Sequence, residues 1–290
     1  MKVATVSIIG RPNVGKSSLL NKLVNYDLAI VSNTPQTTRD QIVGVLSDEN
    51  YQFVFVDTPG IHKPLNLLGE QLNKEAFSSV QDIDCILFLS PINEPIKFGD
   101  KLILDKVQKY ENKVAVISKI DLAKNPIELK TKIDELQKYN FKHIISISNK
   151  NERSIDSLID LLKEFSYESE PLYDPDYITD KPMRFLAKEI IRESAINLLS
   201  DELPHSIAVE IQDFFEMEDR IEINAIIFVK KDSQKGILIG KNASMIKKIG
   251  INSRKKMQAQ FDSNVVLNLK VKVANKWVND NKSLKKFGYN

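Results

Sequence analysis

Cysteine occurs once in the 290 residues, as Cys85, so no intrachain disulfide can form and a reducing compartment suits the chain. Tryptophan also occurs once, and glycine only ten times. No apolar run approaches the ~18 residues of a membrane-spanning helix. The apolar stretch at residues 3–9 runs into a glycine motif and not into a small-residue cleavage site, so no secretory signal is expected and a cytoplasmic location is. Neither sign of charge dominates, with 41 Lys+Arg against 39 Asp+Glu for a net of +2. At 42% hydrophobic and 28% charged, the composition is that of a soluble globular chain. It excludes a disordered polymer, a collagen-like fibre and a disulfide scaffold. The length suits about two domains at ~150 residues each.

The near-zero net charge hides a split. Residues 1–180 hold 21 basic and 26 acidic side chains, a net of −5, and residues 181–290 hold 20 and 13, a net of +7. From Lys230 onward the count is 15 basic against 3 acidic. Such asymmetry points to a polyanion partner at one end. The scarce glycines also gather: Gly10, Gly15 and Gly60 fall in one set of motifs, and Gly236, Gly240 and Gly250 in another.

The first 165 residues alternate strand and helix signals. β-rich runs stand at residues 3–9, 51–56, 84–89, 113–118 and 143–148. Amphipathic stretches at 16–23, 67–80, 99–110, 127–139 and 155–165 predict helices between them. Buried strands alternating with helices predict a doubly wound, mostly parallel α/β sheet. Residues 167–182 carry Pro171, Pro175 and Pro182, a density that stops helices and stiffens a connector. The expected division is a domain over 1–168, a linker over 169–183 and a second domain over 184–290. The second reads as helix (185–200), two strands (206–215, 222–230), a glycine loop running into helix (236–249), more helix (252–261) and a strand (265–273). A basic tail follows Trp277. That order is α+β, and no internal repeat is present.

Gly10-Arg11-Pro12-Asn13-Val14-Gly15-Lys16-Ser17 fits G-x-x-x-x-G-K-[ST] in full, after an expected strand and at the start of an expected helix. Glycines let such a loop turn its N–H groups toward phosphate oxygens. The helix N-terminus adds partial positive charge and Lys16 a full one, while Ser17 offers a hydroxyl to Mg²⁺. The bland alternative, a glycine turn before an ordinary helix, does not need the whole motif. Asp57-Thr58-Pro59-Gly60 ends a later strand, where the carboxylate can hold Mg²⁺ through water and the Gly60 N–H can face a γ-phosphate. Ser118-Lys119-Ile120-Asp121 ends another. A carboxylate at Asp121 can accept two hydrogen bonds from guanine N1 and N2, for which adenine has no matching donors.

These residues resemble the Ras-like translational GTPases, and among them the Era-type family. The likeness rests on GRPNVGKS at residues 10–17, QTTR at 36–39, DTPGIHKP at 57–64 and a C-terminal set taken up next. By that resemblance the chain binds GTP and GDP with residues from Gly10 to Ser18, and Mg²⁺ with Ser17, Thr38 and Asp57. Thr38 is chosen over Thr37 by its place within TTR. The base-side loop is Ser148-Asn149-Lys150. Ser118 and Asn149 depart from the family's Asn and Ala, which predicts weaker nucleotide affinity with guanine specificity kept by Asp121. Ile61 stands where Ras-like enzymes carry a water-orienting glutamine, and an aliphatic group cannot do that work. The catalytic set is then Lys16, Thr38, Gly60 and Asn13, the last of which helps related proteins bind K⁺; K⁺-stimulated, intrinsically slow hydrolysis is expected. Residues 34–44 and 60–73 are the expected switch segments. His62, in the second, is given no catalytic role.

The stretch Lys230-Lys231-Asp232-Ser233-Gln234-Lys235-Gly236-Ile237-Leu238-Ile239-Gly240-Lys241-Asn242-Ala243, with Pro204-His205-Ser206 and the residues 245–250, resembles a type II KH domain. KH domains clamp single-stranded RNA with a G-x-x-G loop. Here Ala243 replaces the last glycine and disfavours positive φ. Lys235, Gly236, Ile239, Gly240, Lys241, Asn242, Ala243, Lys247, Lys248 and Arg254 are the expected RNA contacts, with Lys255 and Lys256 adding contacts to phosphate, while Ile246 and Ile249 read as core. The tail 282–286, with Phe287 and Tyr289, is either a loose end or a contact for RNA or anionic lipid. The resemblance implies a monomeric switch that binds the 3′ end of 16S rRNA, assists 30S maturation and associates peripherally with the inner face of the membrane. Nucleotide and RNA affinities should then be reciprocally linked. A GTPase of tRNA modification or large-subunit assembly would lack the C-terminal loop. An RNA-binding protein with a degenerate nucleotide site is the other alternative, prompted by Ser118 and Asn149.

Overall fold

The computed structural model describes residues 1–32, 38–61, 64, 66–78, 83–199 and 206–289. Two compact units emerge, residues 1–29, 38–64 and 72–180 in one and residues 30–37, 65–71 and 181–290 in the other. Each is taken by itself.

In the first unit, strands β1 (Lys2–Ile9), β2 (Ile42–Ser47), β3 (Tyr51–Asp57), β4 (Cys85–Pro91), β5 (Lys113–Ser118) and β6 (His143–Ser146) form a sheet ordered β2-β3-β1-β4-β5-β6. All neighbours are parallel except β2, which pairs antiparallel with β3. The central strands are continuous apolar runs because helices cover both faces; every residue of β4 is buried. The helices are α1 (Lys16–Leu23), residues 72–78 of α2 (Leu67–Ser78), α3 (Phe98–Val107), α4 (Pro126–Leu136) and α5 (Glu152–Leu162). Helix α5 shows the pattern plainly, burying Ile155, Leu158 and Leu162 along one stripe.

Strand β2 lies partly inside the stretch read from sequence as a switch. Its alternation is broken by Gly44, so the period-2 signal is weak. The segment read as a linker is fastened to this unit. Tyr167–Glu168 forms a two-residue strand, β7, antiparallel to β1 at Lys2 and Val3. Beyond it the buried Gln52 accepts the Leu172 and Tyr173 N–H groups (2.7 and 2.9 Å) and donates to the Tyr173 carbonyl (2.9 Å). Farther on, the Val45 N–H donates to Ile178 O (2.7 Å) and the Thr179 hydroxyl to Val43 O (2.6 Å). One edge of the sheet is thereby covered by the connector, which blunts an otherwise open ladder.

The second unit runs α6 (Met183–Leu198), β8 (Ala208–Glu216), β9 (Arg220–Val229), α7 (Asp232–Ile239), α8 (Ser244–Phe261), β10 (Asn264–Val273) and α9 (Asn281–Lys286). Its sheet is β10-β9-β8, with β10 parallel and β8 antiparallel to β9. Ile190 and Ile191 of α6, Ile249 and Met257 of α8 and the inward residues of the strands share one core. Two expectations change here. Gly236 lies on the exposed face of α7, not in a loop, because a single glycine costs a helix only about 1 kcal/mol. The tail is not loose: Trp277, Phe287 and Tyr289 are buried, with ring centroids 5.4 Å apart for Trp277–Phe287 and 4.9 Å for Phe228–Phe287. The Trp277 indole N–H donates to Ser206 O (3.0 Å). Among the described residues no helix is long and apolar enough to cross a membrane.

Candidate functional site

The motifs read from sequence meet at one end of the first sheet. Register sets Asp57 beside Ile8 at the end of β1, Ser118 beside Pro91 at the end of β4, and Ser146 beside Ile117. The carboxyl ends of parallel strands on either side of β1, where the winding reverses, are where an open α/β sheet leaves a crevice.

The loop after β1 turns through left-handed backbone at Asn13 (φ 64°) and Gly15 (φ 104°) before α1 begins. Lys16 is buried, and its ammonium donates to Gly10 O (3.2 Å) and Arg11 O (3.1 Å). Burial pulls its pKa down, against the attraction of Asp57. Gly60 closes the other side. A Cβ there would stand 2.7 Å from Pro12 N and 2.8 Å from Pro12 Cα, so only glycine lets the two loops meet. Ile61, in the glutamine position, is buried with Ile9 and Ile103 and presents nothing polar to the crevice.

Ser17, Thr38 and Asp57 come together. The Ser17 hydroxyl donates to Asp57 Oδ2 (2.7 Å), so the Thr38 hydroxyl, 2.7 Å from Ser17 Oγ, donates in turn. Asp57 has no exposed surface, and burial lifts its pKa to about 6 despite the nearby Lys16. Its Oδ1 is buried without a hydrogen-bond partner among the described residues. Two hydroxyls and a carboxylate with an unspent oxygen suit a hard cation such as Mg²⁺.

At the base end, Lys119 sits in left-handed backbone (φ 58°) and turns the chain so that Asp121 follows in a single helical turn. Its ammonium donates to Asn13 O (2.7 Å). The Ser118 hydroxyl donates to Val14 O (2.7 Å), tying this strand end to the phosphate loop. Asp121 accepts from the Ser148 hydroxyl (2.8 Å) and pairs with Lys150 (2.7 Å). Hydrogen bonds from Lys150 first and Ser148 second hold its carboxyl below the usual range, keeping it an ionised acceptor. Ser154 was missed from sequence. Its hydroxyl accepts the Ser148 N–H (3.1 Å) and shapes the base-side loop from the first turn of α5. A serine in a helix's first turn is the one available signal. The Arg11 side chain leaves the crevice and binds Asp100 and Glu94 instead.

In the second unit, Gly240 (φ 73°), Asn242 (φ 52°) and Ala243 (φ 59°) turn the chain between α7 and α8. Ala243 thus adopts the conformation its Cβ disfavours. Lys241, Asn242, Lys247, Lys248 and Arg254 are exposed around the loop, and Lys235, Ile239 and Ala243 partly so. Ile249 is fully buried, and Met245 and Ile246 pack against the same core. Gln36, Thr37, His62, Lys63, Pro204 and His205 lie outside the described residues.

Comparison with known proteins agrees at both ends. Residues 5–150 match the family described as 50S ribosome-binding GTPase, and residues 202–278 the KH domain family. GTPase Era of Mycoplasmopsis agalactiae is 73% identical over 290 residues, covering 100% of both chains. GTPase Era of Mycoplasmopsis pulmonis is 53% identical over 291 residues, covering 99% of both. A crystal structure of Era in complex with MgGDPNP and nucleotides 1506–1542 of 16S ribosomal RNA aligns with a TM-score of 0.95 at 35% identity, over 100% of this chain and 99% of that one. A structure of an Aquifex aeolicus Era variant bound to GDP·AlF4− aligns equally well, with a TM-score of 0.95 and 35% identity over the same shares.

Proposed function

The chain belongs to the Era GTPase family, and from that premise we propose that it hydrolyses GTP at the phosphate loop and binds the 3′ end of 16S rRNA with its KH unit during 30S maturation. The observation that carries this reading is the full-length likeness to an Era solved with both a GTP analogue and that RNA segment. The KH match also argues against a tRNA-modification or large-subunit GTPase lacking such a unit.

In this reading Lys16 keeps its hold on the Gly10 and Arg11 carbonyls and turns its remaining N–H to the transferring phosphoryl group, where positive charge stabilises the transition state. Ser17, Thr38 and Asp57 hold Mg²⁺, which when bound neutralises charge on the phosphates. The Gly60 N–H faces the γ-phosphate. With Ile61 in the core, orientation of the attacking water falls to backbone groups, Thr38 or a partner. Asp121 accepts guanine N1 and N2, and a backbone N–H of the 148–150 loop meets O6. Asn13, exposed at the crest of the loop, offers an amide oxygen suited to K⁺. The protein acts as a cytoplasmic monomer, and its basic tail gives an anionic membrane face no more than a peripheral hold.

A single-turnover GTPase assay, with and without a 3′-end rRNA oligonucleotide, tests the reading. Turnover of GTP and tight binding of the oligonucleotide are expected. RNA binding without turnover would favour the degenerate-site alternative. Repeating the assay in KCl and NaCl isolates the role of K⁺: equal rates, or an Asn13→Ala variant with full K⁺ response, would remove Asn13 from the catalytic set.

A further inference from the structure

The Arg11 side chain is anchored outside the phosphate site. Its Nε donates to Asp100 Oδ2 at 2.6 Å and its Nη2 to Glu94 Oε2 at 3.0 Å. Asp100 lies in the first turn of α3 with no exposed surface. The same Oδ2 accepts the Lys97 N–H (2.8 Å), while Oδ1 is buried without a hydrogen-bond partner among the described residues. A carboxylate buried that deeply is costly unless a cation lies against it, and Arg11 is that cation. Gly99 completes the fit. A Cβ there would stand 3.0 Å from Arg11 Cδ and 3.1 Å from Cγ, so the arginine stem rests on bare helix backbone. Glu94 is a lesser anchor, being partly exposed and shared with Lys97 (2.6 Å).

The other end of Arg11 is inside the site, since its carbonyl accepts from Lys16 Nζ at 3.1 Å. Arg11 therefore joins the first turn of α3 to the ammonium of the phosphate loop. We propose that Asp100 is a positioning residue for GTP hydrolysis: by holding Arg11 it fixes the backbone that sets where the Lys16 ammonium stands. Transition-state stabilisation depends on sub-ångström placement of such a charge. The proposal rests on the reading of residues 10–17 as the phosphate site.

The test measures kcat and KM for GTP, affinity for a fluorescent GDP and melting temperature on the full chain. The variants are Asp100→Ala, Asp100→Asn, Arg11→Ala and the double Arg11→Ala/Asp100→Ala. Either alanine variant is expected to lower kcat about tenfold, with a smaller change in GDP affinity. The double variant should be no worse than a single one, because both break one path. Asp100→Asn, whose amide oxygen still accepts from Nε, should recover most of kcat. An unchanged kcat in Asp100→Ala, or losses that multiply in the double variant, would overturn the proposal. Should Asp100→Ala fail to fold, Arg11→Ala decides: its kcat falls, or the proposal does. If the unaltered chain itself neither binds GDP nor turns over GTP, the parent reading falls and takes the proposal with it. If the unaltered chain is active and Asp100→Ala matches it, only the proposal falls.

Discussion

The phosphate loop at residues 10–17 and the basic loop at residues 240–243 both turn through left-handed backbone into a helix, and both are read as grips on phosphate. They use their side chains in opposite ways. The first is held from several directions: Ser118 and Lys119 donate to the carbonyls of Val14 and Asn13, Lys16 to those of Gly10 and Arg11, and Arg11 reaches Asp100 and Glu94. In the second, Lys241 and Asn242 point into solvent, and its own turn is closed by the Ala243 N–H on Gly240 O (3.1 Å). The difference follows from the task. Stabilising a transition state requires donors fixed in place before the reaction. Gripping a flexible RNA backbone requires close approach and positive charge, and the polymer supplies the adjustment.

The largest effect that sharpens this contrast is expected at Lys16. Lys16→Ala should cut GTP turnover by about a hundredfold or more, while affinity for the 3′-end oligonucleotide, measured without nucleotide, stays within about twofold. A comparable fall in both would mean that the two loops are not independent devices. Ser118→Ala comes next. It leaves the Val14 carbonyl without its hydroxyl donor, a loss of ~1–3 kcal/mol for a buried acceptor. Nucleotide affinity in a fluorescence titration should weaken about tenfold. An unchanged affinity would show that the phosphate loop keeps its shape without being tied to β5.

That serine also marks where sequence reading stops. As sequence, Ser118 is a missing asparagine, and weaker nucleotide binding follows. In the structure its shorter side chain still reaches the phosphate loop at 2.7 Å. The phosphate motif itself was legible because all its parts are contiguous, and Asp57 and Asp121 because each ends an apolar strand. The Arg11–Asp100 pair spans 89 residues and exists only once β4 lies beside β1. No local pattern encodes that. Strand β2 is hidden by Gly44 in its middle, and the sequence leaves the tail open between a loose end and a contact surface because Phe287 finds its partner on β9, far upstream. Gly236 misled for the opposite reason, since glycine suggests a loop while α7 simply tolerates one on its wet face. The core of the KH unit was easier: Ile246 and Ile249 keep helical spacing on an apolar stripe, and both pack inward.

If the basic loop works by charge, its surroundings should titrate with salt. Removing Lys247 and Lys248 together should weaken RNA binding at low salt and lower the slope of log affinity against log salt by about 0.7 for each phosphate no longer neutralised. A fall in affinity with an unchanged slope would mean that these lysines shape the helix and touch no phosphate.

The smallest effect concerns Ala243, and it bears most directly on the comparison. Gly15 closes the first loop at φ 104°, where an L side chain is strained, and Ala243 closes the second at φ 59°, where the Cβ penalty is ~1–2 kcal/mol. Ala243→Gly removes that penalty but adds freedom to the unfolded chain worth ~0.4–1 kcal/mol. The KH unit should therefore gain stability by no more than ~1.6 kcal/mol, readable as a rise of several degrees in melting temperature at most. RNA affinity should rise by less than about fivefold, since the backbone already holds the shape that glycine would choose. A tenfold or greater gain would show that the alanine side chain itself obstructs the RNA. The second loop would then be limited by clearance, not by charge, and the contrast with the tied phosphate loop would have to be redrawn.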